Sequence, residues 1–287
     1  MDLWEKRPLG RSAVVTSRLG LGSSFGLGTP DVERAFERGV NYLYWGSLRK
    51  PAFGRAISSL APKHRDRMVV VVQSYTRVAF LMRGSLERAL RQLRVDYADF
   101  LLLGWWPSPP PRHILDAALD LVEKGKARHL MISCHNRPAF QALAADRAFS
   151  TVMVRYNAAH PGAEREVFPV LGSPAPGVVA YTATRWGALL RPELMPPGEP
   201  TPRASDCYRF ALTHPSVDVC LAGPSDAAQL DEAMSALDRG PMDDEELAWM
   251  KRIGASVRTK AKRAGSSAVS LVDRLFGRGG PETTLGS

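Results

Sequence analysis

From about residue 19 to residue 237, short and nearly continuous apolar runs alternate with stretches whose apolar residues recur at i, i+3 and i+4. The runs are Arg18–Gly22, Tyr42–Tyr44, Met68–Ser74, Phe100–Leu103, Arg128–Ile132, Thr151–Arg155, Val178–Tyr181 and Val217–Leu221. Their length and content predict strands. Between and after them, Asp31–Arg38, Phe53–Leu60, Ser85–Leu93, Ile114–Glu123, Pro138–Ala145, Glu164–Leu171, Ala204–Leu212 and Ala227–Leu237 carry the helical period. Strands joined through helices predict right-handed βαβ units and a parallel sheet. Runs such as Met68-Val-Val-Val-Val72 show no alternation, which is the pattern of strands buried on both faces. Eight such units predict a closed (β/α)8 TIM barrel, whose usual size of about 250 residues suits this chain better than an open sheet does.

Two additions flank the barrel. Residues 7–16 read as an N-terminal hairpin closing the barrel bottom, with Gly10-Arg-Ser12 as its turn. Asp243–Val257 reads as an extra C-terminal helix, opened by the acidic Asp243-Asp-Glu-Glu246 that suits a helix N-terminus. Beyond it, Ala268, Leu271, Val272 and Leu275 stand at amphipathic spacing, either as a further helix or as one transient turn of a frayed tail. The expected division is a barrel over residues 1–254 and a basic, flexible tail over 255–287.

Composition adds limits. A chain of 287 residues that is 45% hydrophobic and 23% charged is neither disordered, collagenous nor a coiled coil. Its net charge of +9 includes six basic and two acidic side chains in residues 255–287, and the rest is spread along helix surfaces. That distribution predicts a solvated surface and no nucleic-acid partner. Cys134, Cys207 and Cys220 lack paired spacing, so neither a disulfide framework nor a zinc site is expected. The N-terminal residues mix acids with bases, and no run approaches the ~20 apolar residues of a membrane span. A cytoplasmic protein is expected.

Barrel chemistry sits at the C-terminal ends of the strands. Those positions hold Tyr44 and Trp45, Gln73 to Tyr75, Gly104 to Trp106, Ser133 to Asn136, Arg155 to Asn157, Tyr181 to Trp186 and Gly223 to Ser225. They are rich in aromatic and amide groups, poor in carboxylates and without lysine. Paired-carboxylate hydrolysis, Schiff-base chemistry and a metal site all lose support. His135 and His160 have no carboxylate partner in sequence and read as structural. Trp105 and Trp106 are either pocket walls or packing under the proline-rich Pro107–Pro111. The junction Leu221-Ala-Gly-Pro-Ser225 leads into a helix at Asp226, either an anion site at a helix N-terminus or an ordinary cap.

With these strings in view the chain resembles the aldo-keto reductases. Arg7-Pro-Leu-Gly10 with Ser17-Arg-Leu-Gly-Leu-Gly22 resembles that family's opening, and Gly39-Val-Asn-Tyr-Leu43 its second strand. Asp96–Leu103, Glu123–Ser133, Tyr156-Asn157, Ala180-Tyr-Thr-Ala183, Gly187-Ala-Leu-Leu190, His214-Pro-Ser-Val217 and Gly223-Pro-Ser225 follow in family order. The resemblance implies NADP(H) bound in extended form at the barrel mouth and hydride transfer to an aldehyde or ketone. It implies cofactor roles for Ser133, Asn157, Tyr181, Thr182, Gly223, Ser225, Gln229 and Glu232. Tyr181 would stack on the nicotinamide, Ser133 contact its carboxamide and Thr182 lie along the pyrophosphate. Ser225 and Gln229 would meet the adenosine phosphate region and Glu232 the adenine.

Catalysis in the family uses a tyrosine acid tuned by a buried lysine, which an aspartate pairs, and a histidine that orients the substrate. The aspartate, lysine and histidine positions fall on Tyr44, Gln73 and Gly104, and the tyrosine position on or beside Arg49. All four are changed. Replacing both lysine and aspartate with neutral groups avoids an unpaired buried ion, yet it also removes the tuning from a tyrosine whose ordinary pKa is about 10. The amide clamp of the carboxamide is altered too, to Cys134 and Met153. Tyr44, Arg49 and Gln73 are the catalytic candidates. Two readings stay open: an NADP(H)-linked oxidoreductase with altered catalytic residues acting on a small carbonyl, and a noncatalytic nucleotide- or ligand-binding barrel.

Overall fold

A computed structural model describes residues 2–46 and 48–276, with residues 261–276 as backbone alone. Eight parallel strands close into a barrel. They are β3(Leu19–Gly22), β4(Tyr42–Trp45), β5(Val69–Ser74), β6(Ala98–Leu103), β7(Ala127–Cys134), β8(Phe149–Arg155), β9(Gly177–Tyr181) and β10(Val219–Ala222), and β10 pairs back onto β3. Each predicted strand forms within a few residues of its expected bounds. Outside lie α1(Thr29–Glu37), α2(Pro51–His64), α3(Ala79–Leu93), α4(Arg112–Glu123), α5(Phe140–Ala145), α6(Ala163–Glu166), α7(Ala204–Thr213) and α8(Ala227–Asp238). The helix expected over 164–171 stops after one turn, because Pro169 has no N–H for a continuing ladder and a 3-10 turn over Phe168–Val170 takes its place.

The barrel interior is filled by side chains from alternate positions. Tyr42, Tyr44, Val69, Val71, Phe100, Leu102, Met131, Met153, Val179 and Val219 form one buried cluster. Gly20 makes room for the first of these: a Cβ there would stand 2.5 Å from the Tyr42 ring. The hairpin of β1(Arg7–Pro8) and β2(Val15–Thr16) closes the bottom, and its Leu9 joins the interior cluster. Gly10, at φ +48°, lies directly on the backbone of Gly177, where no Cβ fits. Arg18 is fully buried, and its guanidinium donates to the carbonyls of Leu212 (3.0 Å), Val217 (2.8 Å) and Asp218 (2.8 Å). Burial in that carbonyl-lined site lowers its pKa to about 10.

The extra helix is longer than its sequence pattern suggests. It runs unbroken as α9(Asp244–Phe276), through Gly254 and past the expected end at Val257. Gly254 is a point of closest approach, since a Cβ there would strike the Ala158 carbonyl. Val257 is buried, Ser256 Oγ donates to Leu194 O at 3.0 Å, and Lys260 Nζ reaches Met195 O at 2.7 Å. Residues 255–260 therefore pack on the barrel. The side chains expected to make a basic tail beyond them lie outside the described residues. The start of α9 is tied down by Arg209, a buried guanidinium that grips both carboxylate oxygens of Glu246 (2.5 and 2.6 Å) and the carbonyls of Gly240 and Pro241. Arg239 completes the network through Asp206 at 2.6 Å.

Two outcomes follow from this packing. Glu246→Ala removes the bidentate partner of the buried Arg209 guanidinium and leaves it only the Asp206 carboxylate at 3.9 Å, and it is expected to cost about 2 kcal/mol in urea-induced unfolding. Gly10→Ala meets both a left-handed backbone and the Gly177 chain, and a loss of about 2 kcal/mol or more is expected in the same measurement.

Candidate functional site

The end of β4 places Tyr44 inside the rim of the barrel, 6% exposed, and its hydroxyl donates to Gln73 Oε1 from β5. Arg49, in the segment after β4, folds back so that Nη2 donates to the Gln73 carbonyl at 2.7 Å. All three catalytic candidates thus meet at one residue. The neighbouring glycines are what permit it. A Cβ at Gly104 would run into the Gln73 amide, and a Cβ at Gly46 into the Tyr44 ring and hydroxyl. Positions 44, 73 and 104 are therefore coupled: Gln73 receives the Tyr44 hydroxyl and fills the space that a side chain at 104 would need. Burial lowers the pKa of the Arg49 guanidinium, while the nearby Tyr44 and Tyr75 oppose that shift. Outward from Gln73 the site opens into a cavity of about 550 Å³ lined also by Leu48, Lys50, Thr76 and Ser85.

The residues expected to hold a cofactor fall into two groups. On the β7–β9 side, Ser133 Oγ accepts from the Trp105 N–H at 2.8 Å. Asn157 is buried, donating from Nδ2 to Thr182 O (2.8 Å) and accepting from the His160 N–H (2.9 Å). The Tyr181 hydroxyl pairs with His135 Nδ1 at 2.9 Å, and Thr182, at φ +58°, donates to Tyr181 O at 2.6 Å. On the β10–α8 side the Phe25 ring covers Gly223. Gln229 Oε1 accepts from Ser225 N at 3.1 Å, the Asp226 side chain caps α8 by accepting from Gln229 N, and Glu232 accepts from Ser205 Oγ at 2.7 Å. Cys134 and Met153 are buried, so neither presents an amide to the mouth.

Two features of the mouth are absent from the sequence reading. The first is an arc of rings: Tyr75 meets Trp105 edge-on at 5.4 Å, Trp105 meets His135 at 6.1 Å and His135 meets Tyr181 at 5.8 Å. The paired tryptophans divide their roles, Trp105 being 59% exposed in the mouth and Trp106 buried. Arg77 fixes them, donating to Gly104 O (2.9 Å) and Trp105 O (2.6 Å) while its guanidinium stacks 3.9 Å over Trp106. The second is a concentration of positive charge. Burial pushes His160 down to about 4, and Arg155, Arg185, Arg137 and Arg258 add to the shift. Arg155 also stands near enough to Tyr181 to oppose the rise that burial causes there. Those four arginines are scattered over more than a hundred residues, so only closure of the barrel assembles them.

No helix among the described residues is long and apolar enough to cross a membrane. The sequence profile of the aldo/keto reductase family matches residues 29–206. Among solved structures, an aldo-keto reductase from Bacillus halodurans in its holo form superposes with a TM-score of 0.74 at 19% identity, covering 87% of this chain and 96% of that one. An aldo/keto reductase from Klebsiella pneumoniae in complex with NADP and acetate gives 0.73 at 22% identity, over 88% and 95% of the two chains. An aldo-keto reductase of the same organism in complex with NADPH gives 0.71 at 21%, over 87% and 95%. At such identities the likeness is one of fold. The profile match extends over more than half of the 287 residues, and the chain belongs to the aldo/keto reductase family.

Proposed function

We propose that this chain is an NADP(H)-linked oxidoreductase that reduces a small aldehyde or ketone with a rebuilt proton donor. The observation that carries the reading is the convergence of Tyr44 and Arg49 on Gln73 at the barrel mouth. A dinucleotide needs cations for its phosphates and a flat face for its ring. The arginines around His160 adjoin Asn157 and Thr182, and Tyr181 offers an aromatic ring beside them. Both fit the group, and family descent and the NADP complexes of similar folds support it. Ser133 keeps its hydroxyl proton for a carboxamide oxygen, since its oxygen accepts from Trp105. Ser225, Gln229 and Glu232 would serve the adenosine end from α8, with Gly223 beneath Phe25.

When bound beside Tyr181 and Ser133, a nicotinamide would supply a hydride for the carbonyl carbon. Arg49 opposes the negative charge that builds on the carbonyl oxygen, in a half-buried place where a charge acts more strongly than in water. Tyr44 then gives its hydroxyl proton to that oxygen, and Gln73 holds the phenol in line until it does so. The guanidinium beside the phenolate eases the proton's departure, which is the part a buried lysine plays elsewhere in the family. Tyr44 does not itself line the open cavity, so its reprotonation comes from water that reaches it past Gln73, which does.

A second reading has an observation of its own. The Tyr44 hydroxyl is covered by Gly46 and engaged with Gln73, which suits a barrel that binds a nucleotide without turning over a carbonyl. The two separate in one experiment. NADPH consumption is expected over a panel of reactive aldehydes and quinones, and Tyr44→Phe is expected to lower kcat/KM roughly a hundredfold with NADPH affinity unchanged. Binding of NADPH without consumption on any carbonyl would establish the noncatalytic barrel instead. The nucleotide site has its own check: Arg155→Ala and Arg185→Ala are each expected to weaken NADPH about tenfold or more in fluorescence titrations, by loss of a charge-assisted contact.

A further inference from the structure

The segments that follow β3 to β6 are poor in carboxylate, and Asp31, in the first turn of α1 beside Gly28, is paired with Arg34 at 3.6 Å. Residues 23–28, 46–50, 75–85 and 104–112, which follow β3 to β6, contain Arg49, Lys50, Arg77, Arg83 and Arg112 and neither aspartate nor glutamate. Three of these cations are already engaged. Arg83 pairs with Glu87 and Arg112 with Asp116, each at 2.8 Å, and Arg77 is spent on two carbonyls and the Trp106 ring. Arg49 and Lys50 have no carboxylate partner among the described residues, and both line the cavity of about 550 Å³. The same segments hold seven of the ten exposed large apolar side chains of the described residues, Leu48, Tyr75 and Trp105 among them. An apolar body with one anionic end matches such a surface.

The backbone that carries the cationic pair is preorganised. Lys50 N donates to Ser23 O at 3.3 Å, Ser23 Oγ donates to Gly46 O (3.0 Å) and Leu48 O (3.2 Å), and Leu48 N donates to Ser24 Oγ (3.1 Å). The Lys50 carbonyl in turn receives the Phe53 N–H at 3.2 Å as α2 begins. The segment is thereby fastened at both ends, and little backbone ordering is left for a ligand to impose. Gln73 forms the inner wall of the cavity and also receives the Tyr44 hydroxyl, so an anion held by Lys50 lies on the path to the reacting centre.

We propose that this cavity is a carboxylate subsite, and that the carbonyl substrate is an oxo-acid with an aromatic or alkyl body. Lys50 takes the carboxylate, with the hydroxyls of Thr76 and Ser85 at its rim. Arg49, one residue inward, shares its charge between the carboxylate and the reacting oxygen. The apolar body lies against Leu48, Tyr75 and Trp105. The inference rests on the reading of the site as a carbonyl reductase, and binding separates the two. Calorimetric titration of the full-length protein at low salt compares 4-carboxybenzaldehyde with the neutral 4-methylbenzaldehyde. The carboxylated aldehyde is expected to bind at least tenfold tighter. Lys50→Gln is expected to cut that preference at least threefold, Lys50→Arg to keep it, and Arg55→Gln, which removes the same charge from α2 outside the cavity, to leave it unchanged. Equal affinity for the two aldehydes within twofold, or a preference that survives Lys50→Gln intact, overturns the subsite. A preference that follows Lys50 in a protein that never consumes NADPH upholds the subsite and overturns the reductase.

Discussion

The mouth of this barrel is organised by a neutral hydrogen bond, Tyr44 to Gln73, between adjacent strands at the point where an ion pair is expected from the family resemblance. A closed barrel of this size has to be filled by side chains from bottom to top, and its top layer is where packing and chemistry compete. Here packing is satisfied first. The Tyr44 ring lies over Gly46, the Gln73 amide occupies the space above Gly104, and Arg49 lies against the outer carbonyl of the same glutamine. An aspartate at 44 or a lysine at 73 alone would bury an ion without its counter-ion, a cost of several kcal/mol. Positions 44, 73 and 104 are therefore coupled by packing.

Stability is secured elsewhere, at places that do not touch this centre. The hairpin seals the bottom through Leu9 and the Gly10–Gly177 approach, Arg18 ties β3 to the loop before β10, and Arg209 with Glu246 fastens α9. Each is a buried polar or close backbone contact whose partners are far apart in sequence. That separation leaves the mouth free to vary: its segments carry the positive-φ residues Trp105, Thr182, Arg185 and Trp186 and many exposed rings, while the closed end holds the strands in register.

The strand count, the barrel and the hairpin were legible because each rests on local apolar period and turn chemistry. The length of α9 was not, since the bonds that Ser256 and Lys260 make to the carbonyls of Leu194 and Met195, which fasten the helix around and past Val257, have no sequence signal. Tyr44, Gln73 and Arg49 were legible as positions, by order along the strands, but not as one cluster. Their meeting depends on the Arg49 side chain turning back to the Gln73 carbonyl, a contact with no sequence signal. Glu232 shows the opposite case. The family resemblance implies a ligand contact for it, whereas one of its oxygens is taken by Ser205 of α7, so the residue also joins two helices.

The charge pattern makes physical sense as a displacement. Tyr44 and Gln73 make the top of the barrel interior neutral, while the rim carries cations: Arg49 half-buried, Lys50 exposed, and the arginines around His160. A charge at the rim costs far less to hold than one in the core, and it still projects a field into a mouth whose aromatic walls screen it less than water does. Such a field acts on whatever arrives at the mouth. It favours anionic groups of a ligand and any oxygen that becomes negative beside them, which on the proposed reading is the oxygen that receives the Tyr44 proton. The chemistry open to this barrel is thus set more by the charge its ligand carries in than by the charges its interior retains.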